Sequence, residues 1–100
     1  MKIKNVSFNG EAKSEYYRSV KYYKDIDVQL SEEFYDAVQE AILDIKKFPD
    51  SGHSYLHNTK RVLLDRFPFA IIYKRKDDLI AILAIHHTKR KPSYWEKRIK

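Results

Sequence analysis

The chain has 100 residues, of which 43% are hydrophobic and 14% aromatic, with two glycines, three prolines and no cysteine. This composition excludes a disordered chain, a disulfide framework and thiolate chemistry, and it predicts one globular domain over residues 1–100. The longest apolar run, residues 79–85, is too short to span a membrane, and the N-terminus lacks the apolar core of a signal peptide. We therefore expect a soluble, cytoplasmic protein.

Charge is distributed unevenly along the chain. Residues 1–50 hold 8 basic and 10 acidic side chains, whereas residues 51–100 hold 12 and 4, together with all four histidines. Such asymmetry predicts a basic face that meets an anionic partner, either nucleic acid or an acidic protein segment. The alternative is a solvated basic surface without a partner.

The first half of the chain predicts one strand and two helices. Residues 3–8 alternate apolar and polar side chains, as a short strand does. Asn9 is expected to cap a helix over about residues 10–24, and a second helix is predicted over about residues 30–48 after a short connection. The apolar residues that recur at helical spacing are Ala12, Tyr16, Val20 and Tyr23, then Phe34, Val38, Ala41, Ile42, Ile45 and Phe48.

The second half changes to strand patterns. Residues 50–58 have no periodicity and predict a loop, and strands are predicted at residues 61–65, 69–74 and 79–85. After the last strand, Pro92 stops the sheet, and residues 94–100 predict a short C-terminal helix.

Asp77 and Asp78 predict a tight turn between the last two strands. With that turn, His86 would pair with Phe69, and His87 would pair with Pro68. Neighbouring residues on a strand point to opposite faces, so only one of the two histidines is expected to face an open groove.

The resulting order is β-α-α-β-β-β. It predicts an α+β domain in which a helical hairpin packs on one face of a mainly antiparallel four-stranded sheet. The sheet is expected to include residues 61–87 and the strand at residues 3–8. A short C-terminal helix completes the predicted architecture.

Candidate functional residues gather after the last strand. His86, His87, Arg90 and Tyr94 lie in a stretch, residues 86–100, that holds six Lys or Arg residues and one Glu. Lys and Arg bind phosphate, tyrosine stacks on bases, and a neutral imidazole accepts a proton near neutral pH. Structural roles are the alternative for both histidines, and Trp95 is interpreted as an anchor to the core.

Four further residues could carry chemistry. Arg61 and Arg66 flank a predicted strand, where either could hold a phosphate or pair with acidic residues of the second helix. His53 and His57 lie in the predicted loop, and their spacing is weak evidence for a metal site. We expect no metal and no cofactor.

One set of motifs resembles a known family over nearly the whole chain. The residues that carry it are Arg61, Phe67-Pro68-Phe69-Ala70-Ile71-Ile72-Tyr73, Asp78-Leu79-Ile80 and Ala84-Ile85-His86-His87-Thr88-Lys89-Arg90-Lys91-Pro92-Ser93-Tyr94-Trp95. This pattern resembles the RelE/ParE superfamily of bacterial type II toxin-antitoxin toxins, in particular its ParE-like branch. The superfamily fold is β-α-α-β-β-β, which matches the order obtained from the residues.

The resemblance implies a growth-inhibiting toxin neutralised by a cognate antitoxin, with which it would form a hetero-oligomer. ParE-like members inhibit DNA gyrase by binding, and this is the preferred function. RelE-like members are ribosome-dependent mRNA endonucleases that need no metal, so whether the chain is an enzyme stays open. A non-toxic nucleic-acid-binding domain is a third alternative.

The resemblance also implies roles for four residues. In the endonuclease alternative, Arg61 would hold the scissile phosphate, His87 would act as general acid or base, and Arg90 would stabilise developing charge. Tyr94 would replace the tyrosine usual in RelE-like sites. Arg61, His87 and Arg90 are expected to converge on one surface whichever mechanism operates.

Overall fold

Five strands and two long helices form the part of the chain that the computed structural model describes, residues 3–99 apart from the side chains of residues 92 and 93. They are β1 (Asn5–Phe8), α1 (Gly10–Ile26), α2 (Val28–Lys47), β2 (His53–Tyr55), β3 (Thr59–Leu63), β4 (Phe69–Lys76) and β5 (Leu79–His87). A 3-10 turn at Leu56–Asn58 precedes β3, and a C-terminal 3-10 helix, Pro92–Arg98, follows β5. The predicted α+β fold is confirmed. The predicted end of the terminal helix, Lys100, lies outside the described residues.

The two helices form an antiparallel hairpin with a one-residue link. Asn9 caps α1 as predicted, because its Oδ1 accepts hydrogen bonds from backbone N–H groups two and three residues further on, at 2.9 and 3.3 Å. Asp27 ends one helix and begins the next. Its N–H donates to the Tyr23 carbonyl at 2.8 Å, and its carboxylate accepts from the Gln29 N–H at 3.0 Å.

The sheet has five strands in the order β1-β5-β4-β3-β2, which corrects the four-stranded expectation. β1 pairs with β5 in parallel, and the other neighbours are antiparallel. The additional strand, β2, lies in the segment expected to be a loop. Its three residues carry no apolar alternation, and pairing with β3 is what holds them extended.

A β-bulge in β5 changes the predicted register. The tight turn at Asp77 and Asp78 forms as expected, but Leu83 has no partner, because Tyr73 pairs with Ile82 and Ile72 pairs with Ala84. Beyond this point every pairing is shifted by one residue.

His87 therefore pairs with Phe69, and His86 pairs with Ala70, so the pairing predicted from the turn is wrong. The extra residue also reverses which side chains face the helices. His87 now points to the helix side of the sheet, where its ring packs edge-on against Phe69 with centroids 5.0 Å apart.

Each face of the sheet has its own apolar core. The helices cover one face, where the main core includes Tyr16, Phe34, Ile71 and Ile82. The C-terminal 3-10 helix covers the other face, where a smaller core surrounds Trp95 and is composed of Ala70, Ile72, Leu83 and Ala84. Trp95 is fully buried, so its interpretation as an anchor is confirmed. No helix within residues 3–99 is long and apolar enough to cross a membrane.

Candidate functional site

The candidate site is the surface just after β5, called here the C-terminal rim and defined by His86, His87, Arg90, Tyr94 and Arg98. These residues come from the end of a central strand and from the segment that folds back over the sheet. The strand fixes the two histidines, and packing of Trp95 beneath the sheet fixes the segment. The rim is thus a positioned set of side chains rather than a mobile tail.

A buried ion pair attaches the rim to α1. Arg98 donates from Nη1 and Nη2 to the two carboxylate oxygens of Glu15, at 2.9 and 3.1 Å. The side chains are only 6% and 5% exposed. Burial opposes the charged guanidinium, but the hydrogen bonds and the charge of Glu15 outweigh it and raise the pKa of Arg98.

The same ion pair completes the edge of β5. β1 pairs with β5 only as far as Ile82, so the following backbone groups need other partners. The Ile85 N–H donates to Glu15 at 3.1 Å, and Arg98 donates to the Leu83 carbonyl at 3.0 Å. Two side chains therefore take the place of a neighbouring strand.

Tyr94 lies between two basic groups. The Arg90 guanidinium lies 3.6 Å from the ring centroid, and the ring stacks on His86 with centroids 5.5 Å apart. The Tyr94 hydroxyl is 3.2 Å from His86 Nδ1, within hydrogen-bond distance. Burial, reinforced by the charge of Glu15, raises the pKa of Tyr94 above its usual range, so the phenol stays neutral at physiological pH.

The two histidines differ in environment, and one of them faces an open cleft as expected. His86 is 3% exposed, and burial lowers its pKa below the usual value, opposed by the charge of Glu15 and helped by the positive charges of Arg90 and Arg61. A buried neutral imidazole under Tyr94 indicates a structural role.

His87 lines a cleft of about 550 Å³ between α1 and the end of the sheet. Its Nδ1 accepts a hydrogen bond from the Lys89 N–H at 3.2 Å, which places the proton of the neutral ring on Nε2. Arg90 lines the same cleft, so the structure brings these two predicted residues together. The remaining residues around the cleft are Glu15, Arg18, Ser19, Tyr22, Tyr23, Ile26, Pro68, Phe69 and Ile85.

Arg61 does not join them. It pairs with Ile72, which belongs to the Trp95 core, and its guanidinium stacks on Tyr55 at 4.5 Å from the ring centroid. Paired residues share a face of a sheet. Arg61 therefore lies on the opposite face from His87, and the expected convergence of Arg61 with His87 and Arg90 is not observed.

Of the remaining candidates, Arg66 and His57 have side-chain partners, and His53 lies exposed on β2, where it pairs with Arg61. Arg66 pairs with Glu33 of α2 at 3.0 Å, which is the alternative considered for it. His57 Nε2 lies 3.1 Å from a Glu96 carboxylate oxygen. Among residues 3–99, no group of three or more His, Asp or Glu side chains is arranged to hold a metal ion.

Sequence reasoning missed Glu15, the residue that organises the rim. A signal for it was present, because Glu15 lies beside Ala12 and Tyr16 on the apolar stripe of α1. A carboxylate at a core-facing helical position must find a buried partner. Its partner lies 83 residues away, and no sequence pattern identified it.

The fold and the rim together define a small α+β domain with a basic, aromatic surface just after its last strand. The sequence matches, over residues 6–92, the family model described as the ParE toxin of the type II toxin-antitoxin system, parDE. The chain therefore belongs to the ParE toxin family of type II toxin-antitoxin systems. A toxin-antitoxin pair implies a cognate antitoxin as partner.

A solved structure titled "Chromosomal ParDE TA system from P. aeruginosa" is similar in fold, with a TM-score of 0.64 at 18% sequence identity. The superposition covers 87% of this chain and 98% of that chain. No curated protein matches the sequence.

Proposed function

We propose that this ParE toxin arrests growth by binding DNA gyrase without cleaving a bond, and that its antitoxin neutralises it in a hetero-oligomeric complex. The observation that carries the proposal is the separation of the groups that cleavage would need. Arg61 lies on the Trp95 face of the sheet, whereas His87 points to the helix face and lines the cleft there.

Metal-independent RNA cleavage needs an acid or base and charge-stabilising groups around one phosphate. On the rim, His86 is buried, and Tyr94 is held neutral between Arg90 and His86. His87 and Arg90 line the cleft beside α1, whereas Tyr94 lines a different pocket, which includes Arg90 but not His87. This arrangement supports binding better than catalysis.

The cleft beside His87 has the composition of a protein-binding surface. Tyr22 and Ile26 are 63% and 61% exposed at its edge, and Arg18 and Arg90 frame it. Tyrosine and arginine are the residues most enriched at the energetic centres of protein interfaces. We infer that this cleft contacts gyrase.

A ribosome-dependent mRNA endonuclease is the second candidate function. One observation favours it, because His87 and Arg90 share the cleft and could act together on a phosphate. In that mechanism His87 would be the general base or acid, and Arg90 would stabilise the developing charge.

Two assays with the purified chain separate the candidates. We expect inhibition of gyrase supercoiling and intact mRNA in a translating extract. Arg90→Ala should weaken inhibition more than His87→Ala, and Arg61→Ala should have little effect. Cut mRNA with unaffected supercoiling would overturn the proposal, particularly if His87→Ala slowed cleavage by about 10²-fold or more, the typical contribution of an acid or base.

Expression under tight control provides the matching test in cells. A gyrase inhibitor should change DNA replication and trigger the DNA-damage response before translation falls. Early translation arrest would select the endonuclease. Normal growth with a folded protein would instead favour the non-toxic nucleic-acid-binding alternative.

A further inference from the structure

A second groove shares no lining residue with the cleft beside His87. This α2–β3 groove, about 720 Å³ in volume, runs between α2 and the outer part of β3. Apolar and small side chains line its base, namely Ala37, Ala41, Ile45, Val62 and Leu64. It is separate from the cleft beside His87.

One wall of the groove is acidic in a protein that is basic overall. Glu33, Asp36, Glu40 and Asp44 all line it, and their spacing of three, four and four residues places them on one face of α2. Glu33 is paired with Arg66. Within residues 3–99 the other three carboxylates form no ion pair, and all three are exposed.

The opposite wall is an open strand edge. The Leu64 N–H donates to the Phe69 carbonyl of β4 at 2.9 Å. Backbone groups alternate in direction along a strand, so the N–H and C=O of Leu63 point away from β4. β2 covers β3 only from Thr59 to Arg61, and no other described strand pairs beyond that point.

The chain itself does not extend β2 to close this edge. Immediately before β2, Gly52 packs against the Tyr73 ring so closely that a Cβ would lie 2.6 Å from the hydroxyl. That hydroxyl donates to the Pro49 carbonyl at 2.8 Å, which fixes the connection that enters β2. Residues 51–53 line the groove without pairing with Leu63. Leu63, 52% exposed, is left at an unpaired edge beside the acidic wall.

We propose that the α2–β3 groove binds an extended, basic segment of the cognate antitoxin, which pairs with β3 at Leu63. Alternate side chains of an added strand point to opposite faces. On the helix side, Lys or Arg side chains would lay their aliphatic stems over Ala37 and Ala41 and place their charges against Asp36 and Glu40. On the other side, apolar side chains would cover Leu63.

Charge complementarity selects the occupant. An acidic antitoxin segment suits the basic C-terminal half, but it would be repelled by the wall of α2. A basic segment would be attracted to the acidic wall of α2, and its backbone could form hydrogen bonds with the outward-pointing N–H and C=O groups of Leu63. The inference rests on membership of the toxin-antitoxin family and not on gyrase as the target.

The first test measures the affinity of the purified cognate antitoxin for charge-reversed toxin. The double variant Asp36→Lys with Glu40→Lys should weaken binding by about tenfold, mostly through slower association. Glu32→Lys is the control for each single reversal, Asp36→Lys or Glu40→Lys, since it makes the same one-residue charge change at an exposed position of α2 outside the groove. Binding by the double variant within about twofold of wild type would overturn the proposal, as would a loss in the control equal to that in the single reversals.

The second test concerns the strand edge. Leu63→Pro removes the outward N–H without breaking the ladder with β4, and it should weaken binding about fivefold more than Leu63→Thr, which keeps that N–H. Hydrogen exchange on the wild-type complex gives an independent readout. The Leu63 amide should become protected when antitoxin binds, and unchanged exchange there would contradict strand pairing.

These outcomes can be distinguished from failure of the gyrase proposal. The groove variants should inhibit supercoiling as well as wild type in the absence of antitoxin, because the groove lies apart from the cleft beside His87. If wild-type toxin does not inhibit gyrase, the groove tests still apply, because they measure only antitoxin binding.

Discussion

At the scale of single residues, Glu15 has the largest structural role in the rim. Its carboxylate accepts two hydrogen bonds from Arg98 and one from the Ile85 N–H, and Arg90 lies 3.6 Å away. A buried ion pair of this kind is weak evidence for stability, because desolvation offsets much of the attraction. Its specific effect is to fix where the terminal segment lies against α1.

Removing one partner of this ion pair should therefore lower the free energy of unfolding more than replacing both partners. We expect Glu15→Ala to lower the free energy of unfolding by about 3–5 kcal/mol, because it leaves the Arg98 guanidinium buried and unpaired. The double variant Glu15→Ala with Arg98→Met should recover part of that loss. Urea denaturation of the three proteins tests this, and equal or additive losses would show that the ion pair is not the cause.

The raised pKa of Tyr16 predicts that the folded protein loses stability at alkaline pH. Burial raises its pKa from 10.0 to about 12. The unfolded chain loses the phenolic proton first, so the contribution of Tyr16 to stability is complete below pH 10 and is lost as pH rises towards 12. A difference of about two units between the pKa of Tyr16 in the folded and unfolded chains corresponds to at most about 2.7 kcal/mol of folding stability.

The measurement is the free energy of unfolding between pH 9 and pH 12 for wild type and Tyr16→Phe. The variant should be less stable at pH 9, since Gln39 loses its partner. Its stability should nevertheless fall less steeply above pH 10. Parallel curves for the two proteins would mean that other groups cause the alkaline loss.

At the scale of elements, the C-terminal 3-10 helix acts as a cover for one face of the sheet. Trp95 is fully buried between that helix and the sheet. Trp95→Ala should destabilise the fold by about 3–5 kcal/mol, the usual cost of truncating a buried aromatic side chain. The exposed Lys97→Ala is the control and should change stability by less than about 0.5 kcal/mol.

Circular dichroism is the suitable probe, because Trp95 is the sole tryptophan and its removal abolishes the fluorescence signal. A loss near 1 kcal/mol or less for Trp95→Ala would indicate that the sheet is stable without this cover.

Elements with a clear period were predictable, and the details of pairing were not. The apolar stripes of both helices and the runs of β4 and β5 repeat at the spacing of their structures. β5 is apolar on both faces, so its residues carry no alternation that could reveal a bulge at Leu83. That one residue decides which histidine faces the cleft.

The candidate site was predictable only in part for the same reason. His87 ends β5, and Arg90 and Tyr94 follow it closely, so their positions along the chain already placed them on one rim. Arg61 required knowledge of the face of β3, which depends on register. The buried partnership between Glu15 and Arg98 required the tertiary fold itself.

At the scale of the whole molecule, charge is divided between two surfaces. The second half of the sequence is basic and forms the rim, whereas α2 carries the acidic wall of the α2–β3 groove. A partner that covers both must present charges of both signs in a fixed order along its chain. Such an arrangement favours specificity, because a segment bound in the reverse order would place like charges together.

Salt should therefore affect the formation of the antitoxin complex more than its lifetime. Exposed charges steer encounter over distances comparable to the Debye length, which shrinks from about 10 Å at 0.1 M salt to about 3 Å at 1 M. Apolar anchors such as Tyr22, Ile26 and Leu63, all more than half exposed, are little affected by this screening.

Raising salt from about 0.1 to 1 M should slow association about tenfold or more and speed dissociation by less than about threefold. Stopped-flow mixing of toxin with antitoxin measures both rates, and Arg90→Ala should reduce the salt dependence of association. If salt instead acts mainly on dissociation, the charged contacts are buried in the complex, and the exposed surfaces of the free toxin do not steer its assembly.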